Sequence, residues 1–190
     1  MGFLRNCHII LISCTILLIV SFVLSGGATK AYAETPFARE YQIKAAFLYN
    51  FAKFVEWPAN SFADENAPMV LCVIGMDPFG PILEHTMTGK TIKGRAIIIK
   101  RRKAIDNLEF CHLLFVSSSE QERVPQIVAS LSGASVLTVA DMDRFTNQGG
   151  NINLIKRRNK IRFEINSSAA AQSRLKLSSY LMGLASKVIE

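Results

Sequence analysis

Beyond residue 33 this chain has two cysteines, two histidines and a scatter of serines and carboxylates with which to do chemistry. Cys111-His112 has the composition of a nucleophile and its base. Neighbouring residues on a strand point to opposite faces, so this histidine cannot activate this thiol. His85 and His112 lie at no ligand spacing from a further Cys or carboxylate, so no metal site, cofactor or catalytic residue is expected. Gly75 and Gly80 have the spacing that opens a phosphate loop, but Pro81 and Ile82 stand where lysine and a hydroxyl are needed. Gly89-Lys90-Thr91 has the end of that motif, with Glu84 in place of its first glycine. The remaining candidate is a ligand site at strand ends. Asp141 follows the apolar Leu137-Thr138-Val139, and Ser117 and Ser118 follow another apolar run, where open α/β sheets bind small ligands. The alternative for Asp141 is a carboxylate that caps the following turn.

The elements that would position these residues alternate. Phe37 to Glu56 reads as a helix stopped by Trp57-Pro58, because the residue before proline is pushed out of the α region. Its apolar surface covers roughly 200°, against about 100° for an ordinary surface helix, so it has two partners. Either both are internal, or the stripe containing Phe47, Phe51 and Phe54, continued by Trp57, waits for another protein. Strands follow at Met69–Ile74, Ala96–Lys100, Cys111–Ser117 and Ser135–Ala140, with helices at Asp77–Met87 and Ser119–Leu131 between them. Ile152–Lys156 and Ile161–Ile165 read as a hairpin, followed by one helix capped by Asn166 or Ser167 and running to about Val188. Its stripe is Leu177, Tyr180, Leu181, Leu184 and Val188. The expected fold is a single α/β domain over 34–190, a mostly parallel sheet flanked by helices with a C-terminal hairpin and helix. The basic runs Lys100–Lys103 and Arg157 to Arg162 sit at strand ends, where they either block edge pairing or meet an acidic surface.

Composition sets the compartment. Arg5, the apolar run Ile9–Val23 and Ala31-Tyr32-Ala33 read as a signal peptide over 1–33, cleaved before Glu34; an uncleaved anchor is the alternative. The formal charge of +7 falls to +5 once Arg5 and Lys30 leave with that segment. Outside the cytoplasm such a surface points to acidic proteins, anionic lipid or wall polymers and away from nucleic acid. Cys7 and Cys14 leave too, so Cys72 and Cys111 remain as one pair in an oxidising compartment. A disulfide is the default inference, two buried thiols the alternative.

Several motifs in a fixed order carry a family likeness over nearly all of 34–190. They include Lys44-Ala45-Ala46 through Lys53-Phe54 to Trp57-Pro58, Leu71-Cys72-Val73-Ile74-Gly75 with Asp77-Pro78-Phe79-Gly80, and Cys111-His112-Leu113-Leu114-Phe115. Gly149-Gly150-Asn151-Ile152-Asn153, Arg162-Phe163-Glu164-Ile165-Asn166 and Leu175-Lys176-Leu177-Ser178-Ser179 complete the series. In these the chain resembles the YfiR family of periplasmic repressors. The resemblance implies a non-catalytic periplasmic protein that binds and restrains the periplasmic part of an inner-membrane diguanylate cyclase, keeping cyclic di-GMP and biofilm formation low. An outer-membrane lipoprotein would release it, and a homodimer is a further expected partnership. Cys72 and Cys111 fall where the family has a structural disulfide; a second pair found in some members near Gly149-Gly150 is missing here. The alternative is a periplasmic small-molecule binding module acting with another membrane sensor.

Overall fold

The computed structural model describes residues 35–190; the expected signal segment 1–33 lies outside them. Helix α1 (Pro36–Phe54) starts where Thr35 accepts a hydrogen bond from the Ala38 amide at 3.2 Å, with proline in its first turn. It ends before Trp57-Pro58 as expected, and Val55–Glu56 leave it as a two-residue strand, β1. The chain then supplies β2 (Met69–Ile74), α2 (Pro81–Met87), β3 (Thr91–Ile92), β4 (Arg95–Arg102), β5 (Leu113–Val116), α3 (Val124–Ser130) and β6 (Leu137–Ala140). The hairpin is β7 (Ile152–Arg157) and β8 (Lys160–Asn166), turning at Arg158 and Asn159, both at positive φ.

Eight strands form one sheet in the order β3-β4-β2-β5-β6-β7-β8 and then β10 (Lys187–Ile189). β4, β2, β5, β6 and β7 are parallel, whereas β3 pairs antiparallel with β4 and β8 antiparallel with β7. The continuous apolar run of β2 is explained by burial on both faces. Leu71 and Val73 join a core roofed by α1 and α2, with Leu48, Phe51, Phe79 and Phe115. Cys72 and Ile74 join a second core under α3, with Leu108, Ile127 and Phe145. Two buried asparagines hold β7 beside β6. Asn151 accepts from the Thr138 amide and hydroxyl, and Asn153 bonds both polar backbone groups of Met142. A Cβ at Gly150 would lie 2.2 Å from the Phe145 ring, so only glycine fits this approach.

Two expected helices are corrected. The helix expected over Ser119–Leu131 opens as a 3₁₀ turn, Ser118–Arg123, and becomes α3 only where Pro125 can sit in a first turn that needs no amide donor. The single last helix is two short ones, α4 (Ser167–Gln172) and α5 (Ser179–Leu184), separated by β9 (Lys176–Leu177). Arg174 at φ 57° breaks the helical path, and Leu177 and Lys176 pair with Val55 and Glu56. Tertiary strand pairing has overridden a helical period. Asn166 is the cap of α4, accepting from the Ala169 amide at 2.8 Å. The final residues 187–189 leave helix altogether and lie parallel to β8.

Candidate functional site

Asp141 emerges directly after β6, where α1 crosses the sheet. Glu40 and Tyr41 each lie one helical turn before Lys44, so both flank it. The Tyr41 hydroxyl donates to Asp141 Oδ2 at 2.8 Å and Lys44 Nζ reaches the same oxygen at 2.5 Å. Lys44 also meets Glu40 at 2.7 Å, and Glu40 takes Lys156 of β7 on its other oxygen at 2.7 Å. The Lys44 and Asp141 side chains are 7% and 5% exposed. Hydrogen bonds from Lys156 and Lys44 hold the Glu40 carboxyl below its ordinary range. Burial, then the Asp141 charge, pushes the Tyr41 hydroxyl upward, so it remains a donor. Asp141 is thereby a tie between α1 and the sheet. The sequence reading missed Glu40 and Lys44, although their i,i+4 spacing beside an apolar stripe was a visible signal.

The crevice where strand order reverses, between β2 and β5, is filled by its own loops. Ser117 is buried, and its Oγ accepts from the Ser119 hydroxyl at 3.3 Å; Ser119 Oγ in turn accepts from the Met76 amide at 2.9 Å. Gly75 is at φ 90°, and a Cβ there would meet Ser119 Oγ at 2.4 Å. Ser118 is exposed at the start of the 3₁₀ turn. The structure thus ties Ser117 and Asp141 into separate local networks and leaves Ser118 exposed.

Open clefts lie at the opposite, amino ends of the strands. One of about 520 Å³ is lined by Trp57, Phe62, Met69, Ile92 and Arg95. Another of about 750 Å³ is lined by Ser61, Phe110, His112, Ser135 and Arg174 among others. Phe62 and His112 belong to the wall between them. Their rings are stacked, 4.2 Å apart and 10° from parallel, and the Arg95 guanidinium lies 4.0 Å from the Phe62 centroid. Arg95 Nη1 donates to the Asp64 and Ala67 carbonyls at 2.8 and 2.7 Å, fixing the loop after Pro58. His112 Nδ1 accepts from the Val70 amide at 3.0 Å, and Nε2 lies 2.9 Å from the Ser61 carbonyl. An amide must donate and a carbonyl must accept, so the ring is neutral with its proton on Nε2. Burial, with Arg95 nearby, holds its pKa below the ordinary value.

Cys111 and Cys72 form a disulfide with Cα atoms 5.9 Å apart. It anchors the segment before β5 to the middle of β2, while His112 turns to the loop side. Among the described residues, no group of three or more His, Cys, Asp or Glu lies together as a metal site.

The residues expected to meet a partner are divided. Phe51 is 1% exposed and belongs to the core, and Phe47 packs edge-on against Phe163. These two hold α1 to the sheet, Phe51 wholly buried and Phe47 half-buried. Trp57 is half-buried and donates from Nε1 to the His112 carbonyl at 3.1 Å. Phe54 is half-buried against Tyr180, ring centroids 5.1 Å apart. Tyr180 and Leu184, one turn apart on α5, are 62% and 52% exposed. One apolar strip open to solvent therefore runs over Tyr180 and Leu184 beside the half-buried Phe54; Phe54 was among the residues expected to meet a partner, whereas Tyr180 and Leu184 were expected in the packing stripe of the last helix. Among the described residues no helix is long and apolar enough to cross a membrane.

Comparison with known proteins adds the following. The family model described as YfiR/HmsC-like matches residues 41–186. Nonribosomal peptide synthetase GRA1 of Gibberella zeae is 27% identical over 139 residues, which is 72% of this chain and 2% of that one. The chain thus spans a small fraction of that relative's length. A conserved domain protein from Vibrio cholerae superposes with TM-score 0.54 at 7% identity, over 78% of this chain and 60% of that one. The ABC domain from Streptococcus pneumonia, in complex with L-Trp, gives TM-score 0.51 at 9% identity with the same coverages. At these identities the likeness is one of fold alone.

Proposed function

The chain belongs to the YfiR/HmsC-like family, and from that premise we propose that it is a non-catalytic regulatory protein of the periplasm. In this reading it binds the periplasmic part of an inner-membrane diguanylate cyclase and restrains it, lowering cyclic di-GMP and biofilm formation. An outer-membrane lipoprotein competes for it and sets the free fraction of cyclase. The family match carries the reading. The exposed Tyr180 and Leu184, beside the half-buried Phe54, support it, because solvent-facing aromatic and aliphatic side chains on a rigid element suit a protein contact. So does the closure of the strand-end crevice by its own serines, which leaves an enzyme little room there.

The test is cellular cyclic di-GMP in the source bacterium. It rises on deletion, returns with the intact chain, and stays high with Tyr180→Glu plus Leu184→Glu, a pair of exposed changes that leave the melting temperature in place. No rise on deletion would sink the reading. The cleft between Trp57, Phe62 and Arg95 favours a second one, a small-molecule module working with another membrane sensor. A ligand-induced rise in melting temperature that Trp57→Ala removes would favour it.

A further inference from the structure

β3 pairs with β4 only through Thr91 opposite Ala96 and Ile92 opposite Arg95. Upstream, Gly89 at φ 70° turns the chain away toward α2. From Ile97 to Arg102, β4 is bonded to β2 on one side, and among the described residues no strand pairs with its other side. The Arg102 carbonyl accepts from the Gly75 amide on the β2 side. By alternation along a strand, the peptide groups of Ile97, Ile99 and Arg101 point outward from the sheet edge.

Natural sheets rarely leave such an edge long and apolar without a use or a guard. Here the exposed side chains around it are of two kinds. Ile98 is 41% exposed, beside Val70 on the face where Phe110 is 67% exposed. A shallow cleft of about 90 Å³ lies there, between Lys100, Arg102 and Phe110, above the Cys72–Cys111 disulfide. Arg101 is neutralised on the opposite face by Asp77 at 2.7 Å and Glu84 at 2.5 Å. Lys100, Arg102 and Lys103 have no carboxylate partner within 4.0 Å among the described residues.

We propose that the free edge of β4 over Ile97–Arg102 is an interaction surface, separate from the Phe54–Tyr180 strip, that takes an extended acidic segment of a partner protein as an added strand. The outward peptide groups supply the ladder, Ile98 and Phe110 take every second side chain, and the unpaired cations select carboxylates. A second copy of this chain fits poorly, since pairing the two edges would bring the Lys100, Arg102 and Lys103 cations of both copies together with no carboxylate between them.

The experiment uses the full chain and two labelled synthetic peptides, one alternating valine with glutamate and one alternating valine with lysine. Fluorescence anisotropy gives the valine-glutamate peptide about tenfold tighter binding, a difference reversed by Lys100→Glu with Lys103→Glu. Amide hydrogen exchange slows at Ile97, Ile99 and Arg101 when that peptide is bound. Ile98→Ser weakens binding about tenfold without changing the melting temperature. Absence of binding overturns the proposal, as does protection that falls elsewhere. So do binding to anionic vesicles in place of either peptide, and a concentration-dependent dimer that Ile98→Ser dissociates. These readouts involve no cyclase, so their failure is distinct from failure of the repressor reading.

Discussion

The two ends of the parallel strands are built by different means. At the carboxyl ends, loops are fastened by ion pairs and hydroxyls: Asp141 to Lys44 and Tyr41, Ser117 to Ser119, Ser119 to Met76. At the amino ends one covalent bond, Cys72–Cys111, and one neutral imidazole, His112, hold loops that leave clefts beside them. Ligands in open α/β sheets settle at carboxyl ends because loops there diverge. Here the N-terminal half of α1 and the loops after β2 and β5 fill that divergence. A rule about topology thus yields a site only where the connecting segments leave it empty.

The contrast can be broken from either end. Replacing Cys72 and Cys111 together by alanine has the largest expected effect, about 4 kcal/mol in the chain-entropy account of a loop this long. Urea unfolding with and without reductant measures it; a variant as stable as the parent would show that the amino end needs no covalent tie. Asp141→Ala at the other end leaves the Lys44 ammonium buried beside one remaining carboxylate, and about 3 kcal/mol is expected to be lost. Tyr41→Phe, read by the same curve, separates the hydroxyl's share of that loss.

His112→Gln is smaller still, about 2 kcal/mol for the two backbone groups it leaves badly paired. The histidine also sharpens the comparison through pH. Its folded pKa lies below the ordinary 6.5, so the unfolded chain binds the proton more readily. Its contribution is present above pH 6.5 and declines as the pH falls below that value toward the folded pKa. The carboxyl end responds lower, since Glu40, held below its ordinary 4.5, keeps its contribution until the pH falls through that region. Melting temperatures of parent and His112→Gln between pH 7 and 5 should converge as the pH drops. Parallel curves would refute the neutral imidazole.

Legibility followed the range of the interactions. The sheet strands were readable because the run at Met69–Ile74 is apolar throughout and Thr138 is the single polar residue of Leu137–Ala140, and the turn between Arg157 and Lys160 announced the hairpin. The last segment was not. Its Leu177, Leu181, Leu184 spacing is helical, yet pairing of Leu177 with Val55, 122 positions earlier, decides its conformation. The pairing of Asp141 with Lys44, 97 positions away, was equally invisible, while the inward turn of Phe51 was one of two readings the stripe left open. What Asp141 showed alone was a carboxylate at a strand end, and both a ligand group and a tie to the helix fit that.

Cys72 and Cys111 close a covalent ring, and α2, β3 and β4 all lie on its circumference. A protease that cuts once between these cysteines leaves a molecule of unchanged mass apart from one added water. Its two fragments separate only after reduction. The edge strand can be severed from its neighbours in sequence and still be carried by the sulfur bridge. In an oxidising compartment with active proteases, a nick in this region is a silent event until the thiols are freed.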